Sequence, residues 1–317
     1  MKVAVVIPCF NVEAHVEAAV RSALDQTYGD LDILAIDDGS TDGTRAVLDA
    51  IARDSAGRFR WIGHANLGAC SARNAGVSST EGTYIQFLDA DDTLEPDKIQ
   101  RQMAIAQASG LPDLVIGGFR NHYENGNDDV VLPLVGQPWS GLVRTRLGTT
   151  SSNLFKREAL RGVRGWNERQ RSSQDYELMF RILGSGGRVA WDNAVASSVL
   201  KRTSGSISRT DERDNWLRYL ELRRAMRDHM AKVDADGFKA QIEEADQYLF
   251  MAIRVLSKHD PSAANEEFDR TIGRAFVPER TKATTAAYIL CYRMFGFRFA
   301  ERLASAMVRL RRTMKPE

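Results

Sequence analysis

The clearest indication of the fold comes from residues 1–44, MKVAVVIPCFNVEAHVEAAVRSALDQTYGDLDILAIDDGSTDGT. Val3–Ile7 is a short β-branched run, typical of a strand that is buried on both faces. Leu31–Ile36 predicts a second strand of the same kind. Between them, apolar residues recur at every fourth position, as on one face of a helix: Val12, Val16, Val20 and Leu24. This order and spacing predict two parallel strands of one sheet, joined by a right-handed crossover.

The same alternation continues to about residue 90. The sequence predicts, in order, a helix through residues 46–51, a strand at Phe59–Ile62, a helix over 69–78 and a strand at Tyr84–Leu88. We therefore predict an α/β fold with a mostly parallel sheet flanked by helices.

The signals after residue 90 are weaker. They predict a helix over 97–109, a strand at 114–116, loops with an edge hairpin over 120–145, a strand at Thr150–Phe155, a helix around 176–183 and a strand at Val189–Trp191. After about residue 210 the strand signals stop and helical stripes replace them. We therefore predict an α/β domain over residues 1–210 and a helical C-terminal extension over residues 211–317.

The composition is that of a globular protein and excludes several classes. The chain has 317 residues, of which 43% are apolar and 27% charged, and its net charge is +1. A charge so close to zero argues against nucleic acid as a partner. Three widely spaced cysteines make neither a disulfide framework nor a metal site, so we expect free thiols and a reducing compartment. No segment has the ~18 apolar residues that span a bilayer. We expect a cytoplasmic protein, which would meet a membrane only at its inner face.

Polar residues directly follow three of the predicted strands. They are Pro8-Cys9-Phe10-Asn11, Asp37-Asp38-Gly39-Ser40 and Asp89-Ala90-Asp91-Asp92. Ligands of an open parallel sheet bind beyond the carboxyl ends of its strands, so we expect both acidic clusters at one edge. Gathered carboxylates need a neutralising partner, and their hard oxygens suit Mg²⁺ or Mn²⁺. The alternative is that Asp91 or Asp92 caps a turn.

Five strings occur together in a fixed order. They are VVIPCFN at 5–11, SALDQTY at 22–28, DDGSTDGT at 37–44, NLGACSARNAG at 66–76 and DADD at 89–92. As an ordered set they resemble family 2 of the inverting glycosyltransferases, which have the GT-A fold. The resemblance covers roughly residues 1–210. It implies a nucleotide-diphosphate sugar donor, usually UDP-linked, and a Mn²⁺ or Mg²⁺ ion.

The resemblance also implies roles for individual residues. Asp38 would hydrogen-bond the base or its ribose, Asp89 would contact the ribose, and Asp91 would hold the metal. The residues implied to bind the nucleotide sugar are Pro8, Phe10, Asn11, Asp38, Arg73, Asp89, Ala90 and Lys201. For Arg73 the alternative is a structural partner of the acidic clusters. Gly68 and Gly76 are interpreted as backbone requirements.

The same resemblance implies a catalytic base. Family members carry a Glu-Asp pair at a helix start, and here Gln174-Asp175 stands at that place. Asp175 matches the second acid, which would take the acceptor proton, whereas Gln174 departs from the pattern. The alternative is that Asp175 only caps the following helix. Glu177 is the weaker candidate.

Residues 200–208, LKRTSGSIS, resemble a further family loop with two departures. Lys201 replaces Arg and Thr203 replaces His, which makes a third protein ligand to the metal doubtful. Lys201 and Arg202 remain candidates for binding phosphate. The alternative is a mobile basic loop. None of the five histidines has metal-ligand spacing.

The C-terminal segment is basic and amphipathic. Seven basic residues and one acidic residue, Glu301, lie between Arg293 and Lys315, interspersed with large apolar side chains. Such a helix can lie on an anionic membrane surface, where a lipid-linked acceptor would be found. The alternative is packing on the other domain or on a second subunit of a homo-oligomer.

The acidic clusters and the resemblance together predict a metal-dependent inverting glycosyltransferase. The resemblance alone implies that it acts in polysaccharide or glycolipid assembly. Its partners would be a nucleotide-diphosphate sugar and a glycan or lipid-linked acceptor. A non-catalytic nucleotide-sugar-binding or scaffold protein is the alternative. A dehydrogenase would need GxGxxG after the first strand, and a nucleotidyltransferase a Gly-rich, Arg-containing loop; PCFN is neither.

Overall fold

The computed structural model describes residues 1–202, 211–273 and 275–313, with side chains described up to residue 307. The chain divides into two compact units, Met1–Ser206 and Ile207–Glu317. The domain boundary predicted at residue 210 lies outside the described residues, as does Thr203. The assignment of separate domains to 1–210 and 211–317 therefore stays a prediction.

The first half of the first unit alternates strands and helices as predicted. Its elements are β1 (Val3–Cys9), α1 (Val16–Leu24), β2 (Leu31–Asp37), α2 (Thr44–Asp54), β3 (Phe59–Gly63), α3 (Ala69–Ser78), β4 (Tyr84–Phe87), β5 (Thr93–Leu94) and α4 (Lys98–Ala108). The remaining elements are β6 (Leu114–Tyr123), β7 (Asp128–Val131), α5 (Pro138–Val143), β8 (Leu154–Lys156), α6 (Arg157–Gly162), α7 (Gln174–Gly184) and β9 (Val189–Lys201).

The nine strands found in the described part of the chain join one sheet in the order β3-β2-β1-β4-β8-β6-β9-β5, with β7 paired to β6. The pairs β1·β2, β1·β4 and β2·β3 are parallel, as predicted for the first strands. Strand β8 runs antiparallel to both β4 and β6, whereas β6 and β9 are parallel. The sheet is therefore parallel over its first four strands and mixed beyond them.

Helices cover both faces of the sheet. Val5 and Ile7 of β1 pack in one core with residues of α1 and α4. Leu34 and Ile36 of β2 pack on the other face with Ala72 of α3. Helix α3 lies so close to β1 that a Cβ at Gly76 would stand 2.2 Å from Cγ1 of Val6. The interpretation of Gly76 as a backbone requirement agrees with this close approach.

Residues 120–145 hold more structure than the predicted loops and hairpin. Strand β6 continues through Asn121 and His122 because both pair with β9 on one side and with β7 on the other. The short helix α5 follows the hairpin. Strand β8 is shorter than the predicted Thr150–Phe155, because Ser152 and Asn153 form a buried turn in which Asn153 accepts the N–H of Gly117 at 3.1 Å.

The second unit is helical, as predicted. Its helices are α8 (Glu212–Asp234), α9 (Lys239–Leu256), α10 (Pro261–Thr271) and α11 (Ala286–Thr313). Asp260 caps α10 by accepting the N–H of Ala263 at 3.0 Å. Phe250 of α9 is fully buried at the centre of the aromatic cluster that joins α9, α10 and α11. Among the described helices of both units, none is long and apolar enough to cross a membrane.

Candidate active site

Three loops leave the sheet on one side. Cys9 at the end of β1 pairs with Asp37 at the end of β2, and Val6 pairs with Phe87 at the end of β4. Because these strands are parallel, the residues that follow them emerge together. We call this side the carboxyl edge; it holds residues 8–11, 37–40 and 88–92.

Hydrogen bonds of Asn11 join the loop after β1 to the loop after β2. Asn11 has a left-handed backbone (φ 50°), and its N–H donates to Oγ of Ser40 at 3.0 Å. Its side-chain Oδ1 accepts the N–H of Thr41 at 2.8 Å. Pro8 is half-buried and Phe10 is exposed beside this joint. Asn11 therefore shapes the loop that carries the predicted base pocket.

The adjacent aspartates of β2 have different partners. Asp37 is fully buried, and its carboxylate accepts from Nε of Arg45 at 2.6 Å. Asp38 accepts the N–H groups of Leu67 at 2.8 Å and of Gly68 at 2.9 Å. Gly68 has φ 96° and precedes helix α3, which agrees with its interpretation as a backbone requirement. Asp38 thus anchors the entry to α3, and its predicted contact with the nucleotide stays a prediction.

The acidic turn after β4 has an inner and an outer carboxylate. Asp92 is buried, and its two oxygens accept from Oγ of Ser151 at 2.7 Å and from the N–H of Leu200 at 3.1 Å. Burial, together with the charges of Asp89 and Asp91, raises the pKa of Asp92 well above its ordinary value. Ala90 is buried in the core cluster. Asp92 therefore holds the turn in place.

Asp91 is the outer carboxylate, and it faces a cation of the chain. Nη2 of Arg202 lies 2.8 Å from its Oδ2. Burial and then the charge of Asp89 raise the pKa of Asp91, while Arg202 and His15 act in the opposite direction. Asp91 thus occupies a site where negative charge is in excess and a cation is favoured.

Arg73 joins the acidic turn to the start of α7. Its Nη2 donates to Oδ1 of Asp89 at 2.7 Å and its Nη1 to Oε1 of Gln174 at 3.0 Å. Its guanidinium lies 4.6 Å from the ring centre of Trp166, a buried side chain. Burial lowers the pKa of Arg73, but the charge of Asp89, the hydrogen bond to it and the charges of Cys70 and Asp175 together raise that pKa above its ordinary value. The predicted structural partnership of Arg73 with the acidic clusters is present, and it does not exclude a contact with the donor.

Asp175 is the second residue of α7 and lies beside this junction. Burial raises its pKa most; the charge of Asp89 also raises it, while the N–H of Tyr176, a donor at 2.9 Å, and the charge of Arg73 lower it. Gln174, the departure from the family pattern, accepts a hydrogen bond from Arg73 with its amide oxygen. Glu177 forms an ion pair with Arg181 at 2.7 Å and so has a structural role.

The structure gives Arg202, Ser151 and His15 a larger part in the site than the sequence indicates. Lys201 is half-buried at the end of β9, whereas its neighbour Arg202 supplies the cation beside Asp91. Ser151 also accepts the N–H of Asp89 at 3.2 Å, so one hydroxyl braces two residues of the acidic turn. His15 gave no spacing signal because its proximity to Asp91 arises only when β1 and β4 pair in the sheet.

The acidic turn has carboxylates that suit a divalent cation whose remaining ligands come from a substrate. Within residues 1–202, 211–273 and 275–313, no cluster of three or more His, Cys, Asp or Glu residues could enclose a metal. Mg²⁺ and Mn²⁺ sites with phosphate substrates commonly use only one or two carboxylates and take the remaining oxygens from the phosphates. Asp91, with Asp89 nearby, offers that number and kind of ligand.

Comparison with known proteins agrees with these features. A family model described as Glycosyl transferase family 2 matches residues 4–182, more than half of the chain. Chondroitin synthase of Pasteurella multocida is 28% identical over 252 residues, which make up 78% of this chain and 26% of that protein. The chain spans 40%, 26% and 18% of the lengths of the first three curated relatives that it matches.

Two solved structures share the fold. The structure of S. aureus TarS 1–349 with UDP-GlcNAc has a TM-score of 0.60 at 16% identity, over 86% of this chain and 77% of that one. The mannosyltransferase PcManGT from Pyrobaculum calidifontis, with GDP-Man and Mn²⁺, has a TM-score of 0.55 at 19% identity, over 97% of this chain and 86% of that one. These matches confirm the predicted GT-A fold. Because the family model covers more than half of its residues, the chain belongs to glycosyl transferase family 2.

Proposed function

We propose that this glycosyltransferase moves a sugar from a nucleotide-diphosphate donor, with a UDP-linked sugar as the first expectation, to an acceptor hydroxyl with inversion at the sugar carbon. One observation carries the proposal: Arg73 contacts both Asp89 of the acidic turn and Gln174, the neighbour of Asp175. Arg73 thereby links the carboxylate proposed to contact the donor with the start of α7, where the candidate base follows Gln174.

The donor would lie on the carboxyl edge. The base and ribose would meet the backbone of Pro8 and Phe10, with Asp38 and Asp89 as hydrogen-bond acceptors. Asn11 and Ala90 would hold the two loops in shape, and Arg73 would stand near the nucleotide, where its guanidinium suits a carbonyl or phosphate. The two similar structures contain UDP-GlcNAc and GDP-Man, which supports a nucleotide sugar here as well.

The diphosphate needs positive charge as the bond to the sugar breaks. Asp91 would hold a Mn²⁺ or Mg²⁺ ion, which supplies a Lewis acid for the departing diphosphate. The Mn²⁺ in the mannosyltransferase structure supports this choice of ion. Arg202 and Lys201 would add fixed cations on the same side, and Arg202 already lies 2.8 Å from Asp91.

Asp175 would act on the acceptor. Its carboxylate takes the proton of the acceptor hydroxyl while that oxygen forms a bond to the anomeric carbon. The bond from that carbon to the diphosphate oxygen breaks, and its electron pair leaves with the diphosphate. Because attack and departure occur on opposite faces, the configuration inverts. The raised pKa of Asp175 makes it a stronger base, and general-base help is worth ~10²–10⁴ in rate.

The acceptor would be a glycan or a lipid-linked sugar. The similarity to chondroitin synthase, a protein named for making a polysaccharide, supports this context. The chain spans only 26% of that relative, so the acceptor and linkage are not carried over from it.

The test measures nucleoside diphosphate release from UDP and GDP sugars with Mn²⁺ over a panel of glycan acceptors. For Asp175→Asn we expect the release rate to fall at least 100-fold while donor affinity changes only a few-fold. Asp54→Asn, an exposed aspartate at the end of α2, is the matched control and should match the wild type. If Asp175→Asn keeps its rate within about threefold, the residue is not the base.

A further inference from the structure

Among the side chains that the structure describes, helix α11 carries six exposed large apolar ones, placed on both sides of a break in its backbone. Their exposed fractions lie between 44% and 63%, and we call this set the α11 ridge: Leu290, Met294, Phe295, Phe299, Leu303 and Met307. The backbone breaks at Gly296 (φ 79°), yet the ridge continues across the break, because the rings of Phe295 and Phe299 lie 5.0 Å apart. Single exposed apolar residues are ordinary, whereas a contiguous set marks a binding surface.

A different face of α11 packs within the helical unit. Tyr288, Tyr292 and Phe297 are buried, and the ring of Phe297 stacks on Phe268 of α10 at 4.4 Å. The sequence left open whether this helix contacts a membrane, the other domain or a second subunit. In the structure one face packs on helices of its own unit, and the side chains of the ridge stay exposed.

The exposed charges that α11 itself carries, in the residues whose side chains the structure describes, are all positive. They are Arg293, Arg298 and Arg302, of which Arg298 pairs with the exposed Asp269 of α10. Glu301, the single acidic residue of α11, is instead turned inward, where it accepts from Nε of Arg254 at 2.5 Å and from the hydroxyl of Tyr288 at 2.6 Å. The surface of α11 available to a partner is therefore apolar and cationic.

The positive charge of this surface distinguishes between two possible partners of the ridge, a second copy of the chain and an anionic lipid surface. In a twofold dimer the ridge would meet itself, and the arginines of both copies would face one another at a cost. An anionic lipid surface accepts both features at once, because acyl chains receive the aromatic and aliphatic side chains and lipid phosphates receive the guanidinium groups.

We propose that the α11 ridge lies in the surface of an anionic lipid bilayer, parallel to its plane, with Arg293 and Arg302 at the level of the headgroups. This goes beyond the transfer reaction and does not depend on the identity of the donor. It would allow the enzyme to meet a lipid-linked acceptor at the membrane.

Vesicle flotation of the full chain tests the proposal. We expect binding to vesicles of phosphatidylcholine with 30% phosphatidylglycerol, little binding to phosphatidylcholine alone, and weakening by salt, since surface charge is screened over about 8 Å at physiological ionic strength. The double variant Phe299→Glu with Leu303→Glu should bind at least tenfold less. The matched control is Val233→Glu on α8, whose side chain is 62% exposed outside the ridge and which should bind as the wild type does.

Circular dichroism and nucleotide-sugar binding of each variant show that it is folded. The proposal is overturned if the wild type ignores both vesicle compositions, or if the double variant floats as well as the wild type. It is also overturned if the wild type is a dimer in sedimentation velocity, the double variant is a monomer, and neither binds vesicles. The ridge would then be the contact between two copies of the chain. Loss of transfer activity with vesicle binding intact would count against the proposed reaction alone.

Discussion

Replacing Arg73 by Met removes the charge that joins the acidic turn to α7. The methionine keeps most of the apolar stem but not the guanidinium, so the cation–π contact with Trp166 is lost. Also lost are the hydrogen bond to Asp89 at 2.7 Å and the one to Gln174 at 3.0 Å. Asp89 then faces Asp91 and Asp92 without its principal counter-charge.

The burial of Arg73 and Asp89 determines how much stability the substitution removes. The side chain of Arg73 is 7% exposed and that of Asp89 is 35% exposed. Removing one partner of a fully buried pair costs ~3–5 kcal/mol, and the partial exposure of Asp89 reduces this to about 2–3 kcal/mol, since water solvates the orphaned carboxylate. In a unit of this size each kcal/mol shifts Tm by ~2–4 °C, so we expect Arg73→Met to lower Tm by about 4–12 °C.

Thermal and urea unfolding of four proteins tests this value: the wild type, Arg73→Met, Asp89→Asn and the double variant. Because the two side chains share one interaction, the second change should cost less once the first is made, with a coupling free energy of at least ~1 kcal/mol. Arg53→Met, at the exposed end of α2, is the matched control and should stay within ~0.5 kcal/mol of the wild type. The reasoning is refuted if Arg73→Met shifts Tm by less than about 1 °C, or if the two changes add without coupling.

Three further predictions use other parts of the site. First, kcat/KM for nucleotide release should fall with decreasing pH, with an apparent pKa above the ordinary aspartate value of about 3.9. The reason is that burial raises the pKa of Asp175 and only its ionised form can take a proton. A kcat/KM that stays constant down to about pH 4 would contradict this. Second, Ser151→Ala removes one of the two hydrogen bonds to the buried Asp92, so the free energy of unfolding in urea should drop by ~1–3 kcal/mol; no change would mean that the hydroxyl does not brace the turn. Third, Gly76→Ala should cost ~1–3 kcal/mol because its Cβ would stand 2.2 Å from Cγ1 of Val6, and Val6→Ala should recover part of that loss; equal stability of Gly76→Ala and the wild type would show that α3 can move away.

The first ninety residues were predictable because their structure is encoded locally. Runs such as Val3–Ile7 and fourfold spacing such as that of Val16 and Val20 report directly on strands and helices. Strand β6 was underestimated beyond residue 116, because its later part begins with two glycines, includes several polar residues and is held by β9, about 75 residues further along the chain. Pairings at such separation leave no local signal.

Asp91 and Asp175 could be singled out from the sequence, because family strings mark their positions. Their surroundings could not. Arg202 reaches Asp91 only because β9 extends to residue 201, which the predicted strand at Val189–Trp191 did not anticipate. The roles of Asp91 and Asp92 differ although the residues are adjacent, and only the contacts of Ser151 and Leu200 with Asp92 separate them.

We propose that residues of the carboxyl edge bind a nucleotide-diphosphate sugar through a metal at Asp91. This binding can be measured by thermal unfolding of the full chain with UDP, GDP and dTDP sugars, with and without Mn²⁺. We expect at least one donor to stabilise the wild type by RT ln(1 + [L]/Kd), about 2.7 kcal/mol at a hundredfold excess over Kd. Asp91→Asn should remove the part of the stabilisation that depends on Mn²⁺. Stabilisation by none of the nucleotide sugars, or equal Mn²⁺-dependent stabilisation of Asp91→Asn and the wild type, would contradict it.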